Sequence, residues 1–161
     1  MANYDKYLKG TVGSQLSVGN TGPTTYSGVI DLATLNAGGF ATTDVIRLVP
    51  FLTGTQFESF EAVITETLVG ITATDAGNTI SSATDPDDYI DNQSNTAVGR
   101  FTTYAAPAQA DAILTSAGFI AIRLTGTIDA STDGKIAWQV KLAPAAANAA
   151  PLMEPRIYPN G

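Results

Sequence analysis

The segment from Phe119 to Leu142 narrows the choice of fold most, because apolar and polar residues alternate along most of its length. The apolar set is Ile120, Ile122, Leu124 and Ile128, followed after ASTDG by Ile136, Trp138, Val140 and Leu142. This period of two places one set on a buried face and the other toward solvent, as in a β-strand. Asp133-Gly134 predicts a turn between the two runs, since glycine tolerates positive φ. We therefore expect a β-hairpin with Trp138 in the core.

Upstream segments carry further strand signals. They are Asp44–Leu52, Phe57–Asp75, Val98–Tyr104 and, more weakly, Thr25–Leu32. Within the second of them, Phe60, Ala62 and Ile64 share one face, and Leu68 continues it. Pro50 cannot donate a ladder hydrogen bond, so it marks an edge strand or a strand end. Alternation on one side only predicts antiparallel sheets, and many short strands predict an all-β sandwich or jelly roll.

One short helix is predicted in APAQADAILTSAG, residues 106–118. Pro107 suits a first helical turn, and Gly118 suits the position just past a helix end. Between them, a helical stripe is formed by Ala110, Ile113, Leu114 and Ala117. A strand at AILTS, residues 112–116, is the alternative.

The two ends of the chain differ from the middle, which predicts a sandwich domain over residues 25–144 with arms at 1–24 and 145–161. Neither arm has a sustained hydrophobic period, and the C-terminal stretch from Pro144 onward carries four of the eight prolines. The apolar side chains in the arms are Tyr4, Tyr7, Leu152, Met153, Ile157 and Tyr158. Such anchors suit segments that order only against a partner, although frayed ends are an equal alternative.

Composition excludes several chemistries. The chain has no histidine and no cysteine, which removes the usual nucleophile–base systems and zinc ligand sets. No phosphate-binding glycine motif occurs, and a net charge of −7 disfavours nucleic acids and anionic membranes. We expect no enzyme and no cofactor, although a glycosidase built on two carboxylates stays open. The polar N-terminus lacks the apolar core of a secretory signal, so synthesis in the cytoplasm is expected.

An acidic loop interrupts this weakly charged sequence. SSATDPDDYIDN holds Asp85, Asp87, Asp88 and Asp91, whereas only 14% of all residues are charged. Four carboxylates in one loop could bind calcium, but the glycine and glutamate of an EF-hand loop are missing. Asp-Pro also starts turns without any ion. The sequence therefore favours a solvated turn, with a calcium site as the weaker alternative.

Three stretches together resemble small virion proteins of tailed bacteriophages. They are TTDVIRLVPFLTGTQFESFEAVITET, DPDDYID and FIAIRLTGTIDASTDGKIAWQVKLAP, which lie between Thr42 and Pro144. Those proteins tend to have a strand like Asp-Val-Ile-Arg-Leu-Val-Pro, a loop like Asp-Pro-Asp-Gly-Tyr and a final hairpin whose turn ends in Gly-Lys. Asp88 departs from this pattern, because the family usually has glycine at that place in the loop.

The resemblance implies a head decoration (cement) protein: a β-rich module without catalytic residues, often trimeric. Its expected partner is the major capsid protein, and its expected location is the outer surface of the virion capsid. A head-fibre or tail adaptor would use the same architecture. A carbohydrate-binding module is a further alternative, which would need aromatic side chains exposed on one face.

Overall fold

A computed structural model describes residues 23–42, 44–80, 82–94, 96–100, 104–105 and 113–144. The elements are β1 (Thr24–Asp31), α1 (Leu32–Ala37), β2 (Val45–Phe51), β3 (Gln56–Val69), β4 (Ile71–Asn78), β5 (Ile90–Gln93), β6 (Gly99–Arg100), β7 (Tyr104–Ala105), β8 (Gly118–Gly126) and β9 (Asp133–Ala143). Every strand pair among them is antiparallel. The predicted all-β antiparallel fold is confirmed.

The strands form two sheets with jelly-roll connectivity. One sheet has the order β1-β9-β3-β6, with β7 also pairing with β3, and the other has the order β2-β8-β4-β5. If β6 and β7 count as one strand position, β1 pairs with β9, β2 with β8, β3 with the β6–β7 position and β4 with β5. The first strand thus pairs with the last and the second with the second-last, while the β3–β9 and β4–β8 pairs complete the two sheets. That is one long hairpin rolled into two facing sheets, which is the arrangement of a jelly roll.

The core lies between the two sheets and is built from alternate residues of their central strands. Ile120, Ile122 and Leu124 of β8 face Ile136 and Val140 of β9, and all five are fully buried. Phe60, Ala62, Ile64 and Leu68 of β3 are buried as their period of two predicts. Trp138 is buried too, with 6% of its surface exposed, so its predicted place in the core is confirmed.

The predicted hairpin between Phe119 and Leu142 is wrong in its pairing. The alternation is correct, but β8 pairs with β2 and β4, whereas β9 pairs with β1 and β3 in the other sheet. The chain crosses between the sheets through a turn closed by the Thr132 N–H, which donates to the Asp129 carbonyl at 3.0 Å. Gly134 is the second residue of β9 and has φ of 119°, so its positive φ serves the strand entry and not the turn. Alternation identifies the buried face of a strand, but not its neighbour.

The predicted helix is wrong where its residues are described. Leu114 donates to the Thr55 carbonyl at 2.8 Å and accepts from the Gly54 N–H at 2.7 Å, so it pairs in an extended conformation. Gly118 opens β8 instead of ending a helix. Long-range backbone pairing here overrides the local stripe. Residues 106–112, with Pro107 and Ala110, lie outside the described residues.

The helix that does form, α1, follows β1 directly. The Asp31 side chain caps it by accepting from the Thr34 N–H at 3.1 Å, while Leu32 and Leu35 enter the core. The arms predicted at 1–24 and 145–161 lie outside the described residues, apart from Pro23 and Thr24. The described chain begins and ends on neighbouring strands, because Thr24 pairs with Leu142 at one end of the β1–β9 ladder.

Candidate functional site

The acidic loop lies across the outer face of the β2-β8-β4-β5 sheet. Asp85 forms a salt bridge with Arg123 of β8. Asp88 accepts from the backbone N–H of Asn78 at 3.1 Å and from its side-chain amide at 2.8 Å. Pro86 between these two contacts is buried. The loop is therefore fastened to the sheet, while the side chains of Asp85, Asp87, Asp88 and Asp91 stay exposed to solvent.

Gly77 of β4 allows the loop to approach the sheet this closely. A Cβ atom at this position would lie 2.7 Å from the backbone nitrogen of Asp88 and 2.8 Å from that of Asp87. Just beyond, the Tyr89 N–H donates to the Ala76 carbonyl at 2.9 Å. Only a residue without a side chain fits between the sheet and this backbone. Sequence reasoning missed Gly77, since nothing in the sequence shows which segment passes over it.

The four loop carboxylates point to separate partners. Asp85 and Asp88 bind Arg123 and Asn78, and Asp91 accepts from the side-chain amide of its neighbour Asn92 at 2.6 Å. Asp87 is exposed. Within the described ranges, no three acidic side chains come together as a metal-ligand set. The loop therefore acts as a clamp on β4. Nothing in the geometry of its described residues supports the alternative prediction of a calcium site.

A buried carboxylate that the sequence did not single out lies beneath the loop. Asp75 of β4 is 3% exposed and accepts from the Asn92 N–H at 2.6 Å. Burial raises its pKa above the usual value, and this effect outweighs the opposing hydrogen bond from Asn92 and the nearby charge of Arg123. Asn92 itself has φ of 48°, a backbone conformation that asparagine tolerates better than most residues. Asp75 therefore helps to hold β5 against β4.

On its inner side the loop also reaches the other sheet. The Tyr89 ring stacks on Phe57 of β3 with 4.0 Å between ring centroids and 10° between planes. Phe60 lies further along the same strand at 6.4 Å. Such pairs add about 0.5–1.5 kcal/mol to the gain from burial. The segment is thus a structural tie between the two sheets.

The second candidate surface is the solvent face of the β1-β9-β3 sheet. Three aliphatic side chains, Val29, Ala137 and Val63, follow one another across the three strands in register. They floor a shallow concavity of about 350 Å³, together with Ser27, Glu61 and Gln139. We call Val29, Ala137 and Val63 the aliphatic strip. It offers an apolar contact surface bordered by polar side chains.

Two exposed ion pairs frame the strip along β3 and β9. Lys135 binds Glu66 at 2.7 Å near one end, and Lys141 binds Glu58 at 2.9 Å near the other. The hydrogen bond from Lys135 to Glu66 raises the pKa of that lysine. Exposed pairs of this kind stabilise a fold little, so their main effect is to surround the strip with charge.

The described groups with shifted pKa values are dispersed over the fold. The groups with shifted pKa values are Tyr26, Asp75, Asp129 and Lys135. Asp129 lies in the turn between β8 and β9, where hydrogen bonds from the hydroxyl and N–H of Ser131 lower its pKa. The four groups belong to different elements, namely β1, β4, the turn between β8 and β9, and β9.

The candidate interface residues lie outside the described part of the chain. They are Tyr4, Tyr7, Leu152, Met153, Ile157 and Tyr158, and their assignment stays a prediction. The structure does give the points from which these segments depart, since the described chain enters at β1 and leaves at β9, on adjacent strands. Both segments therefore start from the same end of one sheet.

Comparison with known proteins gives one structural similarity. The chain is similar to a chain of the cyanophage Pam1 capsid asymmetric unit, with a TM-score of 0.46 and 14% identity. The match covers 81% of this chain and 94% of the other. No protein-family model matches the sequence, and no curated protein matches it. In the described part of the chain, no helix has the length and hydropathy to cross a membrane.

Proposed function

We propose that this chain is a structural protein of a tailed-phage virion, and specifically a decoration protein on the outer surface of the capsid. The observation that carries the proposal is the pairing of Thr24 with Leu142. It places the start of β1 and the end of β9 next to each other, and the sequences that lie beyond these two points carry apolar side chains. A compact body with paired arms suits a module that spans neighbouring subunits.

The sequence resemblance supports the same proposal. Its three stretches correspond to β2 and β3, to the acidic loop, and to β8 and β9, so they are spread through both sheets. Asp88 departs from the family pattern, yet it adds a contact that glycine lacks, because its carboxylate binds Asn78. The departure therefore leaves the loop fastened in place.

The energetics of arm binding are adequate for such a role. Burial of apolar surface contributes about 25 cal/mol per Å², so a few anchors of about 100 Å² each would supply several kcal/mol per copy. Ordering the arm offsets part of this gain. A homo-oligomer, with a trimer as the favoured state, would strengthen the remainder through avidity.

The surface chemistry agrees with a binding role without catalysis. The net charge of −7 suits a soluble protein that faces outward and avoids the packaged nucleic acid. The carbohydrate-binding alternative loses its best candidate, since Trp138 lies in the core. The exposed large apolar side chains of the described residues are all aliphatic: Val29, Leu52, Val69, Val98 and Ile113.

Arm truncation tests the proposal directly. Two variants, one lacking residues 1–23 and one lacking 145–161, are mixed with capsids purified without this protein, and binding is measured by co-sedimentation. Circular dichroism confirms that each variant remains folded. We expect at least one truncation to weaken capsid binding by about tenfold or more, equivalent to about 1.4 kcal/mol. Full binding by both variants would show that a face of the jelly roll, and not an arm, makes the contact.

A further inference from the structure

The edges of the two sheets are unequal. Edge strands expose unpaired backbone groups and invite pairing with another chain, so natural proteins interrupt them. Among the described strands, β2 carries Pro50 and a register shift, β5 is four residues long, and β6 and β7 are two residues each. The edges at β2 and β5 are therefore irregular or short.

The β1 edge lacks these protections. Its eight residues pair with β9 in unbroken register, from Thr24 opposite Leu142 to Asp31 opposite Lys135. The strand contains no proline and no lysine, and among the described residues no strand pairs with it on its far side. Val29 lies on this edge with 46% of its surface exposed and continues into the aliphatic strip. The edge therefore offers a regular hydrogen-bonding row beside an apolar surface.

The C-terminal sequence has the pattern of a strand that could add to such an edge. In PLMEPRIYP the prolines stand at 151, 155 and 159, which are all odd positions. In an extended strand, residues of one parity direct their backbone groups to the same side. All three prolines can therefore direct their backbone nitrogens, which carry no hydrogen, away from the edge strand. The backbone groups of the even positions 152–158 then face that strand and can pair with it.

The same parity disfavours the addition of a further strand. The outer side would carry the three prolines, so a further strand would find only the N–H donors of Met153 and Ile157 there. The odd positions are all apolar, since Met153 and Ile157 lie between the prolines, whereas the even positions include Glu154 and Arg156. This alternation is typical of a strand with one face against a protein surface.

The position of the chain ends indicates which copy supplies the segment. Residues 1–23 enter β1 at the end where β9 leaves, because Thr24 pairs with Leu142. To reach the far edge of its own β1, the C-terminal segment would have to cross that incoming chain, and such crossings are rare. A second copy meets no such obstacle, and the six residues 145–150 can span about 20 Å. We infer that residues 151–159 of one copy add a strand to the β1 edge of another.

This strand exchange needs no capsid, so it is tested on the isolated protein. Sedimentation velocity is measured for the full chain and for residues 1–150 at equal concentrations. We expect the full chain to form a closed oligomer, and the truncated chain to be a folded monomer. A monomeric full chain, or an oligomer that survives the truncation, would overturn the inference.

A matched pair of charge substitutions tests whether β1 is the host edge. Val29→Lys places a charge on the edge, whereas Val69→Lys places one on a valine of similar exposure, 43%, at the end of β3. We expect Val29→Lys to raise the oligomer dissociation constant by about tenfold or more, and Val69→Lys to change it by less than about threefold. Equal effects of the two substitutions would exclude the β1 edge.

Engineered cysteines test the strand pairing itself, since the natural chain has none. Ser27→Cys lies on the outer face of β1 and is mixed separately with Arg156→Cys and with Met153→Cys chains. If the apolar odd positions face the core side, Ser27→Cys forms an interchain disulfide with Arg156→Cys and little with Met153→Cys. Equal cross-linking of both would contradict a strand. Closure within single chains of a Ser27→Cys, Arg156→Cys double variant would overturn the exchange.

Discussion

Gly28 and Trp138 should be energetically coupled across the β1–β9 pair. A Cβ atom on Gly28 would lie 2.8 Å from Cζ2 of the indole, 3.0 Å from Cε2 and 3.1 Å from Nε1. Carbon atoms normally approach to about 3.5–4.0 Å, so Gly28→Ala forces the ring or the strand to move. Overpacking of this kind costs about 1–3 kcal/mol, and the loss of unfolded-chain freedom offsets about 0.4–1 kcal/mol. We expect a net loss of about 1–2 kcal/mol.

A double-mutant cycle isolates this contact. Trp138→Phe removes ring atoms near Gly28, so the added methyl group enters vacated space and Gly28→Ala should then cost almost nothing. The expected coupling is about 1–2 kcal/mol, measured by urea denaturation at fixed protein concentration with circular dichroism as the probe. Ser27→Ala, on the exposed face of the same strand, is the control and should change stability by less than about 0.5 kcal/mol. Additive effects of the two core substitutions would refute the contact.

Three further predictions concern the acidic loop and the core. Gly77→Ala should push the loop off β4, so the Tyr89 amide should exchange hydrogen faster while the Trp138 amide does not; unchanged Tyr89 exchange would contradict the clamp. Because burial raises the pKa of Asp75, the wild type should lose stability relative to Asp75→Asn as pH rises above 3.8, the ordinary Asp value. A wild type that gains stability relative to this variant over the same pH range would show that the pKa of Asp75 is lowered instead. EDTA should leave the melting temperature within about 2 °C, whereas a drop above about 10 °C would indicate a calcium site.

The strand faces could be predicted from the sequence because a period of two is a local property. In β3, β8 and β9 the apolar residues of one parity are the buried ones. The partner of each strand could not be predicted, since β8 and β9 are consecutive in sequence but belong to different sheets. Pairing depends on contacts far apart in the chain, and a period of two carries no record of them. The same reason explains the wrong helix near Leu114, whose partners are Gly54 and Thr55.

The candidate site was predictable in composition but not in geometry. The sequence identifies four acidic residues in one loop, and their charges alone are compatible with calcium or with solvent. Their actual partners, Arg123 and Asn78, lie on two strands whose positions follow only from the fold. The role of Gly77 could not be predicted from the sequence either, because it depends on the loop backbone that passes over this residue.

The most direct test of the proposed function is electron microscopy of capsids, purified without this protein, after incubation with the full chain. We expect density for the jelly roll on the outer surface, repeated at equivalent lattice positions, with terminal segments reaching toward neighbouring subunits. Density confined to the portal or tail would instead support an adaptor. Capsids that remain bare at saturating protein concentration would contradict the decoration role.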